Sequence, residues 1–406
     1  MNILFLSTRS PYPLISGHSL RTYHILRGVS QNHNVTLVTF VQLEDESNRE
    51  NVEHLKSFCN NVFQFKIPVD ISRIKLILIL LLNVFSLKPF TAQKYKAKGM
   101  ELKIEEIINE GNIDLIHVDM LHLSVYLNCF KQLPKILVNH NVESMRLYRW
   151  FQTERNILKK AFLGLQWLKL RKFERSAMEK FDSCVVVSEI DKELLMEMGI
   201  SNKIFVVPNG TDTEFFKPSE RPPVDDTVLW LGHMDVHTNK DAVLYLWREI
   251  YPILQREYSH VQIIFVGTSP PIEISAAAKH NSQIRVTGFV DDIRPYVDKA
   301  AVMVTPIRIG SGTRIKILDS MAMGKAIVST SIGCEGLHVS DGENILIADD
   351  PKSFADKIIK VLTNPSIRIN LEKNARKHSQ SYDWDQIVEK QEIVYQEAIK
   401  KKGLGI

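Results

Sequence analysis

The chain has 406 residues, of which 44% are hydrophobic and 24% charged, so it is long enough for two or three domains that each bury a core. Its 18 glycines and 16 prolines exclude collagen-like and proline-rich chains. Lysine and arginine number 51 against 47 acidic residues, and this near balance disfavours a dedicated nucleic-acid binder, which needs a concentrated basic surface. We therefore expect no nucleic acid among the partners.

The four cysteines lie far apart and form no Cys-x-x-Cys pair; they stand at positions 59, 129, 184 and 334. This spacing disfavours both a zinc site and a disulfide framework, and it favours a reducing compartment. The apolar stretch at the start of the sequence is too short for a secretory signal, and no basic residue precedes it. The sequence therefore predicts a cytoplasmic protein.

Short apolar runs that end in polar loops recur through the first half of the chain, at residues 2–7, 35–40, 115–118, 136–138 and 184–187. Runs of this kind are typical of strands buried on both faces of a parallel sheet. Helical patterns separate most of them, for example at 18–30 and 97–109. Alternating strands and helices predict a doubly wound α/β domain.

The same pattern restarts after a proline-rich connector at 217–224. New strand candidates follow at 227–231, 262–266, 283–286, 302–305 and 326–329, with helical stretches such as 241–258 between them. We therefore predict two Rossmann-like domains, at 1–205 and 206–380. Residues 384–400 have one apolar face, so we expect 381–406 to form a helix that returns to the first domain.

The loop after the predicted strand 302–305 carries donors suited to a phosphate. Its turn Gly310-Ser311-Gly312-Thr313 precedes a helix, and backbone N–H groups at a helix N-terminus favour an anion. Arg314 and Lys316 add cationic donors for a diphosphate, and the Asp319 carboxylate can accept hydrogen bonds from a ribose diol. An ordinary strand–loop–helix with surface charges is the alternative interpretation of this segment.

A second loop of this type follows the first strand, where Gly17 stands at the start of a helix and could bring backbone N–H groups close to a phosphate. The dinucleotide pattern Gly-x-Gly-x-x-Gly does not follow any strand of the sequence, which disfavours an NAD-dependent enzyme.

Three motifs in combination resemble the retaining glycosyltransferases of the GT-B fold in glycosyltransferase family 4. They are Pro-Asn-Gly-Thr-Asp at 208–212, Thr-Gly-Phe-Val-Asp-Asp at 287–292, and the segment 310–324, whose Gly-Ser-Gly-Thr-Arg start is similar to one subgroup. The resemblance covers nearly the whole chain. It implies two domains that face a central cleft, an acceptor site in the first, and a nucleotide-diphosphate sugar as donor in the second.

The chain departs from the family pattern at two places. Where members commonly carry two acidic residues eight positions apart, this chain has Ser311 and Asp319, so the resemblance assigns the donor ribose to Asp319 alone. Where many members carry an Arg and a Lys after the first strand of the second domain, this chain has His233 and, further on, Lys240. Arg314 and Lys316 are then the main candidates for the diphosphate, with Lys240 a weaker third.

In the first domain, family members place a polar residue after the strand 115–118. Asp119, at the end of that strand, is our candidate for the group that faces the sugar, and His117 is nearly as well explained as a buried polar residue of the core. His140 follows the next strand, in a segment similar to one that lines the acceptor cleft of family members. A structural role is equally consistent with a single histidine at that position.

We expect a glycosyltransferase that transfers a sugar to an acceptor hydroxyl with retention, in bacterial surface-polysaccharide or glycolipid biosynthesis. Arg314, Lys316 and backbone N–H groups would stabilise the leaving phosphate, each donor contributing roughly 3 kcal/mol. We expect no metal and no cofactor other than the donor substrate, because these cations can neutralise the diphosphate and no Asp-x-Asp triplet is present. The alternatives are an epimerase or phosphorylase of the same shape, and a catalytically silent partner of another transferase.

Two further segments bear on the partners. Residues 74–85 are almost wholly apolar, but a spanning helix needs about 20 such residues, so a buried helix is the first interpretation and a membrane-surface helix the second. Residues 146–180 hold ten Lys or Arg against three Glu, with aromatic residues between them. A solvated face explains this stretch most simply; contact with a lipid-linked acceptor or the inner face of an anionic plasma membrane is the functional alternative.

Overall fold

The computed structural model describes residues 1–41, 49–68, 73–220, 222–310 and 312–403. The chain divides into two compact units, and each holds one parallel sheet. Unit 1 comprises Met1–Pro208 and Trp384–Ile406, and unit 2 comprises Asn209–Asp383. The prediction of two Rossmann-like α/β domains is therefore confirmed.

The sheet of unit 1 has seven parallel strands among the described residues, in the order β3-β2-β1-β4-β5-β6-β7. They are β1 (Asn2–Ser7), β2 (Asn34–Val41), β3 (Asn61–Lys66), β4 (Leu115–Asp119), β5 (Lys135–Val138), β6 (Ser183–Val186) and β7 (Ile204–Val206). The helices are α1 (Gly17–Val29), α2 (Arg49–Lys56), α3 (Arg73–Asn83), α4 (Phe90–Lys94), α5 (Lys98–Asn109), α6 (Glu143–Thr153), α7 (Ile157–Met178) and α8 (Glu189–Glu197), with a 3₁₀ helix at Leu121–Phe130.

Unit 1 has a hydrophobic core on each face of its sheet. Side chains alternate between the two faces of a strand, so Ile3 and Phe5 of β1 pack on one side, and Leu4 and Leu6 pack on the other. All four are fully buried. This explains why the strand is a continuous apolar run rather than an alternating one.

The sheet of unit 2 has six parallel strands among the described residues, in the order β10-β9-β8-β11-β12-β13. They are β8 (Thr227–Leu231), β9 (Gln262–Val266), β10 (Ile284–Val286), β11 (Val302–Thr305), β12 (Ile327–Ser329) and β13 (Leu346–Ile347). The helices are α9 (His237–Tyr245), α10 (Tyr251–Glu257), α11 (Ile272–His280), α12 (Arg294–Lys299), α13 (Ile315–Ala322), α14 (Pro351–Thr363) and α15 (Pro365–Ser379), with a 3₁₀ turn at Gln380–Tyr382.

The helix predicted at 241–258 differs from the observed one. It begins earlier, at His237, and a π-helical turn at Leu246–Ile250 separates α9 from α10. Pro252 is the second residue after this turn and the second residue of α10. A proline has no N–H to donate and its ring collides with the carbonyl four residues before it, so the helix widens there instead of continuing regularly.

The last helix, α16 (Trp384–Lys401), belongs to unit 1 and packs on α1. The Trp384 ring stacks on His24 with centroids 4.7 Å apart. Gly28 allows the two helices to approach closely, because a Cβ atom at that position would lie 2.3 Å from Val388. None of the described helices is both long and apolar enough to span a membrane.

Each sheet has one point at which the strand order reverses. In unit 1 this point lies between β1 and β4, and in unit 2 it lies between β8 and β11. The loops that leave the carboxyl ends of such neighbouring strands diverge to opposite faces of the sheet, and the crevice between them is where doubly wound proteins bind ligands. Both sites below lie at these points.

Candidate functional site

The site in unit 1 is built around a carboxylate and an imidazole at the carboxyl edge of the sheet. Asp119 ends β4, and His140 follows β5, the next strand in the sheet. His140 Nε2 lies 2.6 Å from Asp119 Oδ1, and Thr22 of α1 donates its hydroxyl to Asp119 Oδ2 at 2.6 Å. The structure thus brings together Asp119 and His140, which the sequence predicted as the sugar-facing and acceptor-side candidates of this unit.

The charge state of Asp119 determines which nitrogen of His140 carries the proton. Burial alone would raise the pKa of Asp119, but the charge and hydrogen bond of His140 hold that pKa well below its usual range. A carboxylate only accepts hydrogen bonds, so His140 donates from Nε2. The contact thus fixes the orientation of the imidazole and leaves Nδ1 as the nitrogen that does not face Asp119.

Asp119 itself is only 2% exposed, and both of its oxygens accept a hydrogen bond within the protein. The sequence predicts Asp119 as the group that faces the sugar. In the structure its two oxygens face Thr22 and His140 instead of solvent, and the side chain of His140 is 10% exposed. His140 is thus the more accessible of the two.

Two further histidines lie beside Asp119. The His18 ring stacks on His140 with centroids 4.5 Å apart, and its Nε2 lies 3.8 Å from Asp119 Oδ2. His117, on β4, stacks on Phe5 and shares a hydrogen bond of 2.7 Å with the hydroxyl of Tyr395 on α16. Burial lowers the pKa of both His18 and His117 to about 3, so both are neutral at physiological pH.

His18, Asp119 and His140 each offer one potential metal-ligating atom, and these atoms lie within 4.8 Å of one another. The set has the composition of known metal sites. In the observed geometry, however, the Asp119 and His140 atoms are joined by a hydrogen bond, and the guanidinium of Arg21 also interacts electrostatically with Asp119. The negative charge of Asp119 thus already has protein partners in His140 and Arg21.

Arg21 of α1 is fully buried beneath this site and is anchored to the end of unit 1. Its Nη1 donates to the carbonyl oxygen of Pro208 at 2.6 Å, and Nη2 donates to that of Val207 at 2.8 Å. The helix that carries His18 and Thr22 is thereby tied to the segment in which the chain leaves unit 1.

Gly17 is the first residue of α1, and Ser16 and Ser19 cap the N-terminus of this helix. Ser16 accepts a hydrogen bond from the Ser19 backbone N–H at 3.1 Å, and the Ser19 hydroxyl lies 3.0 Å from the Ser16 backbone nitrogen. One N–H group that could have served a phosphate is therefore already bonded. Gly17 lies in unit 1, whereas the other residues predicted to bind the donor lie in unit 2.

The site in unit 2 lies on the loop between β11 and α13. Gly310 has φ = +127°, a conformation that side chains rarely adopt, and a Cβ atom there would lie 2.8 Å from Arg314 Nη2. Glycine therefore lets the guanidinium approach the backbone of the loop. Arg314 Nη1 also donates to the Gly312 carbonyl at 2.8 Å, which orients the side chain across the turn. Ser311 lies outside the described residues.

Lys316, on the first turn of α13, reaches back to the carboxyl end of β8. Its Nζ donates to the Leu231 carbonyl at 2.7 Å and lies 5.1 Å from the centroid of the Trp230 ring. Burial, together with the charge of Arg314, lowers the pKa of Lys316 to about 7. The ammonium group is thus near its titration point at neutral pH, and an anion nearby would favour its charged form.

Asp319 lies further along α13 and is buried. Thr211 donates its hydroxyl to Asp319 Oδ1 at 2.7 Å. Burial raises the pKa of Asp319 to about 7, although the Thr211 hydrogen bond acts in the opposite direction. As a carboxylate the group can accept hydrogen bonds from both hydroxyls of a ribose diol, and as the protonated acid it can also donate one.

The remaining predicted donor residues are spread around this loop. The Asn209 side-chain amide donates to the Thr313 hydroxyl, which ties the start of unit 2 to the turn before α13. His233, after β8, is exposed, and its Nδ1 lies 2.8 Å from the Thr268 hydroxyl. Lys240 is exposed on the first turn of α9.

Several residues of these sites had not been singled out from the sequence. They are His18, Arg21 and Thr22 in unit 1, and Asn209 and Thr211 in unit 2. His18 directly follows Gly17 at the start of α1, so its position after the first strand was a usable signal. Asn209 and Thr211 stand within the 208–212 motif, but their partners, Thr313 and Asp319, lie more than a hundred residues away.

Two doubly wound units, each with polar side chains gathered at its switch point, define a two-domain α/β protein with a candidate ligand site in each domain. Comparison with protein families assigns both units. Residues 15–215 match the glycosyltransferase family 4 model, and residues 225–364 match the model of glycosyl transferases group 1. The chain is thus a glycosyltransferase of the GT-B fold and of the family 4 type, a member of enzyme class EC 2.4.

Curated relatives are similar over different lengths. An uncharacterised 44.6 kDa protein in the cps region of Klebsiella pneumoniae is 23% identical over 375 residues, 90% of this chain and 92% of that protein. One subunit of the phosphatidylinositol N-acetylglucosaminyltransferase of Arabidopsis thaliana is 27% identical over 255 residues. That alignment covers 59% of this chain and only 54% of the relative.

Solved structures share the fold over nearly the whole chain. A sucrose-phosphate synthase from Thermosynechococcus elongatus has a TM-score of 0.70 at 16% identity, covering 97% of this chain and 98% of that one. Anabaena HepE, crystallised in complex with UDP, has a TM-score of 0.66 at 15% identity with the same coverage. The GT-B fold inferred from the sequence is therefore confirmed.

Proposed function

We propose that this protein transfers a sugar from a nucleotide-diphosphate sugar to an acceptor hydroxyl, with retention of the anomeric configuration. The observation that carries the proposal is the start of α13 and the turn before it, where Arg314, Lys316 and Asp319 supply two cations and a carboxyl group at the switch point of unit 2. These groups match the diphosphate and the ribose of one ligand. HepE, which shares the fold, binds UDP, and another of its crystal structures contains UDP and glucose.

Arg314 and Lys316 would act on the bond that breaks. Cleavage between the sugar C1 and the diphosphate leaves negative charge on the phosphate oxygens, and positioned cations stabilise that charge in the transition state. Thr211 and Asp319 would hold the ribose, while Thr313 and the backbone around Gly310 would contact the phosphates. His233 and Lys240 are further candidates for the donor, in the same unit.

In unit 1, we propose that His140 contacts the sugar or the acceptor through Nδ1, with Asp119 and Thr22 fixing its orientation. Asp119 is not placed as a nucleophile in this scheme, because it is buried and both of its oxygens are bonded. We therefore favour attack of the acceptor hydroxyl on the same face from which the diphosphate leaves. The hydroxyl proton then passes to the departing phosphate oxygen.

The acceptor is proposed to be a glycan or a lipid-linked glycan of the bacterial cell surface, assembled at the inner face of the plasma membrane. Two relatives support this choice. One is the Klebsiella protein in the cps region, and another is a Campylobacter jejuni enzyme that transfers N-acetylgalactosamine to a sugar-diphospho-undecaprenol. The second relative is 24% identical over 233 residues, 53% of this chain and 60% of its own length.

A panel of nucleotide sugars tests the proposal directly. We expect one of them to bind and to release its nucleoside diphosphate when an acceptor is present, with the product linkage assigned by NMR. Binding with interconversion of the sugar nucleotide in the absence of acceptor would instead show an epimerase. The absence of binding to every nucleotide sugar would refute the donor assignment and favour a catalytically silent partner.

We also propose that the transfer needs no metal ion, since Arg314 and Lys316 supply positive charge at the diphosphate and Asp119 is already bonded to His140. Turnover is then unchanged after dialysis against EDTA. Loss of turnover that zinc or another divalent ion restores would contradict this, and would direct attention to the His18, Asp119 and His140 set.

A further inference from the structure

One stretch of unit 1 exposes large apolar side chains in sequence. The end of α3 and the turn that follows it leave Leu81 63%, Leu82 61%, Phe85 89% and Leu87 91% exposed. Fully exposing such side chains to water costs roughly 1.5–3 kcal/mol each relative to burying them. The buried-helix interpretation of residues 74–85 is therefore not what the structure shows at the carboxyl end of that block.

The backbone of this stretch is nevertheless held firmly against α7. The Asn83 side chain is buried and accepts a hydrogen bond from Gln166 Nε2 at 2.6 Å, and it donates to the Lys88 carbonyl at 2.9 Å. Lys169 Nζ donates to the carbonyls of Asn83 at 2.6 Å and Val84 at 3.0 Å. The protein thus fixes the chain in a conformation that keeps its apolar side chains in solvent.

A basic cavity of about 640 Å³ adjoins this stretch, beginning at Lys88, the residue after Leu87. Its lining includes four lysines and no acidic residue; the lysines are Lys88, Lys131, Lys135 and Lys180. Lys135 already pairs with Asp182 at 3.6 Å. Among the described residues, no carboxylate pairs with the other three lysines, all of which are exposed.

The cavity also holds an unpartnered polar atom. Ser124 is only 5% exposed and lines the cavity, and its hydroxyl has no hydrogen-bond partner among the described residues. That oxygen is itself closed to solvent, so the exposed lysines are the groups of this cavity that a ligand reaches. Ammonium groups without a carboxylate partner among the described residues match the chemistry of a phosphate.

We propose that Leu81, Leu82, Phe85, Leu87, Lys88, Lys131 and Lys180, together called the docking face, bind the surface of a bilayer that contains anionic lipids. The apolar side chains enter the boundary between headgroups and acyl chains, and the lysines receive lipid phosphates. Charge complementarity selects an anionic bilayer over a protein partner. Lys88 follows Leu87 in the chain and lines the same cavity as Lys131 and Lys180, and no carboxylate among the described residues pairs with these three lysines. The docking face would hold the enzyme where a lipid-linked acceptor resides. This biological role rests on the proposed function, whereas the membrane binding itself does not.

Vesicle binding tests the docking face without reference to turnover. The full chain is mixed with vesicles of phosphatidylcholine alone, or of phosphatidylcholine with about one third phosphatidylglycerol, and bound protein is measured by flotation. We expect binding to the anionic vesicles to exceed binding to the neutral ones by at least about tenfold, and to fall with added salt.

Two double variants separate the apolar and the basic contributions. Phe85→Ser with Leu87→Ser, and Lys131→Glu with Lys180→Glu, should each reduce binding to anionic vesicles at least about tenfold. The matched controls in unit 2 are Ile272→Ser, which removes a side chain that is 89% exposed, and Lys279→Glu with Lys299→Glu, which reverses two exposed charges. Both controls should bind as the wild type does.

Equal binding to neutral and anionic vesicles, or unchanged binding by either double variant, would overturn the proposal. So would inorganic phosphate that binds the protein while vesicles do not, since the cavity would then serve a free anion. All substituted side chains are exposed, so the variants should keep the wild-type melting temperature and the wild-type release of nucleoside diphosphate with a soluble acceptor. Failure of the donor assay in the wild type would affect only the proposed function, because flotation needs no substrate.

Discussion

Removal of the Arg314 guanidinium is the sharpest test of the donor site. The side chain spans the turn before α13, where Nη1 bonds to the Gly312 carbonyl. One positioned donor to developing charge contributes roughly 3 kcal/mol to transition-state stabilisation. At about 1.4 kcal/mol per tenfold in rate, Arg314→Ala should lower kcat at least about a hundredfold.

Arg308, in the same loop, provides the matched control. Its guanidinium pairs with Asp241 at 2.9 Å and Glu249 at 3.3 Å and lies over the Tyr245 ring, so it has protein partners of its own. Surface ion pairs of this kind contribute at most about 1 kcal/mol to stability. Arg308→Ala should therefore leave kcat within about threefold of the wild type.

A second pair of variants tests the geometry rather than the charge. Gly310→Ala would place a Cβ atom 2.8 Å from Arg314 Nη2, which displaces the guanidinium without removing it. Gly342 also has positive φ, +80°, but no atom lies within 4 Å of its Cβ position, so Gly342→Ala reports backbone strain alone. We expect kcat to fall in Gly310→Ala and to stay near the wild-type value in Gly342→Ala.

The assay is the initial rate of nucleoside diphosphate release at saturating donor, with thermal unfolding measured in parallel. Equal kcat values for Arg314→Ala and Arg308→Ala, in variants that unfold at the wild-type temperature, would refute the assignment of Arg314 to the diphosphate. A higher KM with unchanged kcat would show that Arg314 binds the ground state and the transition state equally.

Three further outcomes follow from the titratable groups. The pKa of Asp319 is raised from 3.8 to about 7, so between these pH values the folded protein keeps a proton that the unfolded chain loses, and stability falls as the pH rises. The melting temperature of Asp319→Asn should therefore exceed that of the wild type by more at about pH 8 than at about pH 5. The pKa of Lys316 is lowered to about 7, so its positive charge is lost as the pH rises above 7. The affinity for the nucleoside diphosphate, measured by calorimetry, should weaken over the same range, and Lys316→Arg should remove that dependence on pH. Asp119→Asn keeps the shape of the His140 contact but loses its charge, worth about 1–1.5 kcal/mol, so kcat should fall about tenfold. The melting temperature should fall as well, because the buried Arg21 guanidinium loses its counter-charge.

Much of the fold was predictable because the buried parallel strands are continuous apolar runs. The predicted bounds of β1, β8, β9 and β11 are the observed ones. The edge strand β3 was missed, since its side chains are only half-buried and Gln64 interrupts the apolar run. The π-helical turn before Pro252 could not be located from periodicity, because the apolar face continues through it.

The sites were predictable in part and for a similar reason. Polar residues directly after a strand, such as Asp119 and His140, are recognisable because the sheet brings the carboxyl ends of its strands to one edge. The partners of these residues cannot be recognised in the same way. Thr22, for example, approaches Asp119 from a helix 97 residues earlier in the chain. Sequence patterns report local structure, whereas burial and the resulting shifts in pKa depend on tertiary packing.

The return of α16 to unit 1 has a consequence for biosynthesis. A ribosome completes residues 209–383, the whole of unit 2, before it makes the helix that covers α1 of unit 1. Until Trp384, Ile387, Val394 and Tyr395 emerge, the apolar side chains of unit 1 that they bury stay open to solvent, and His117 lacks its partner Tyr395. The amino-terminal domain is therefore the last to be completed, and premature termination after unit 2 would release a chain whose first domain is unfinished.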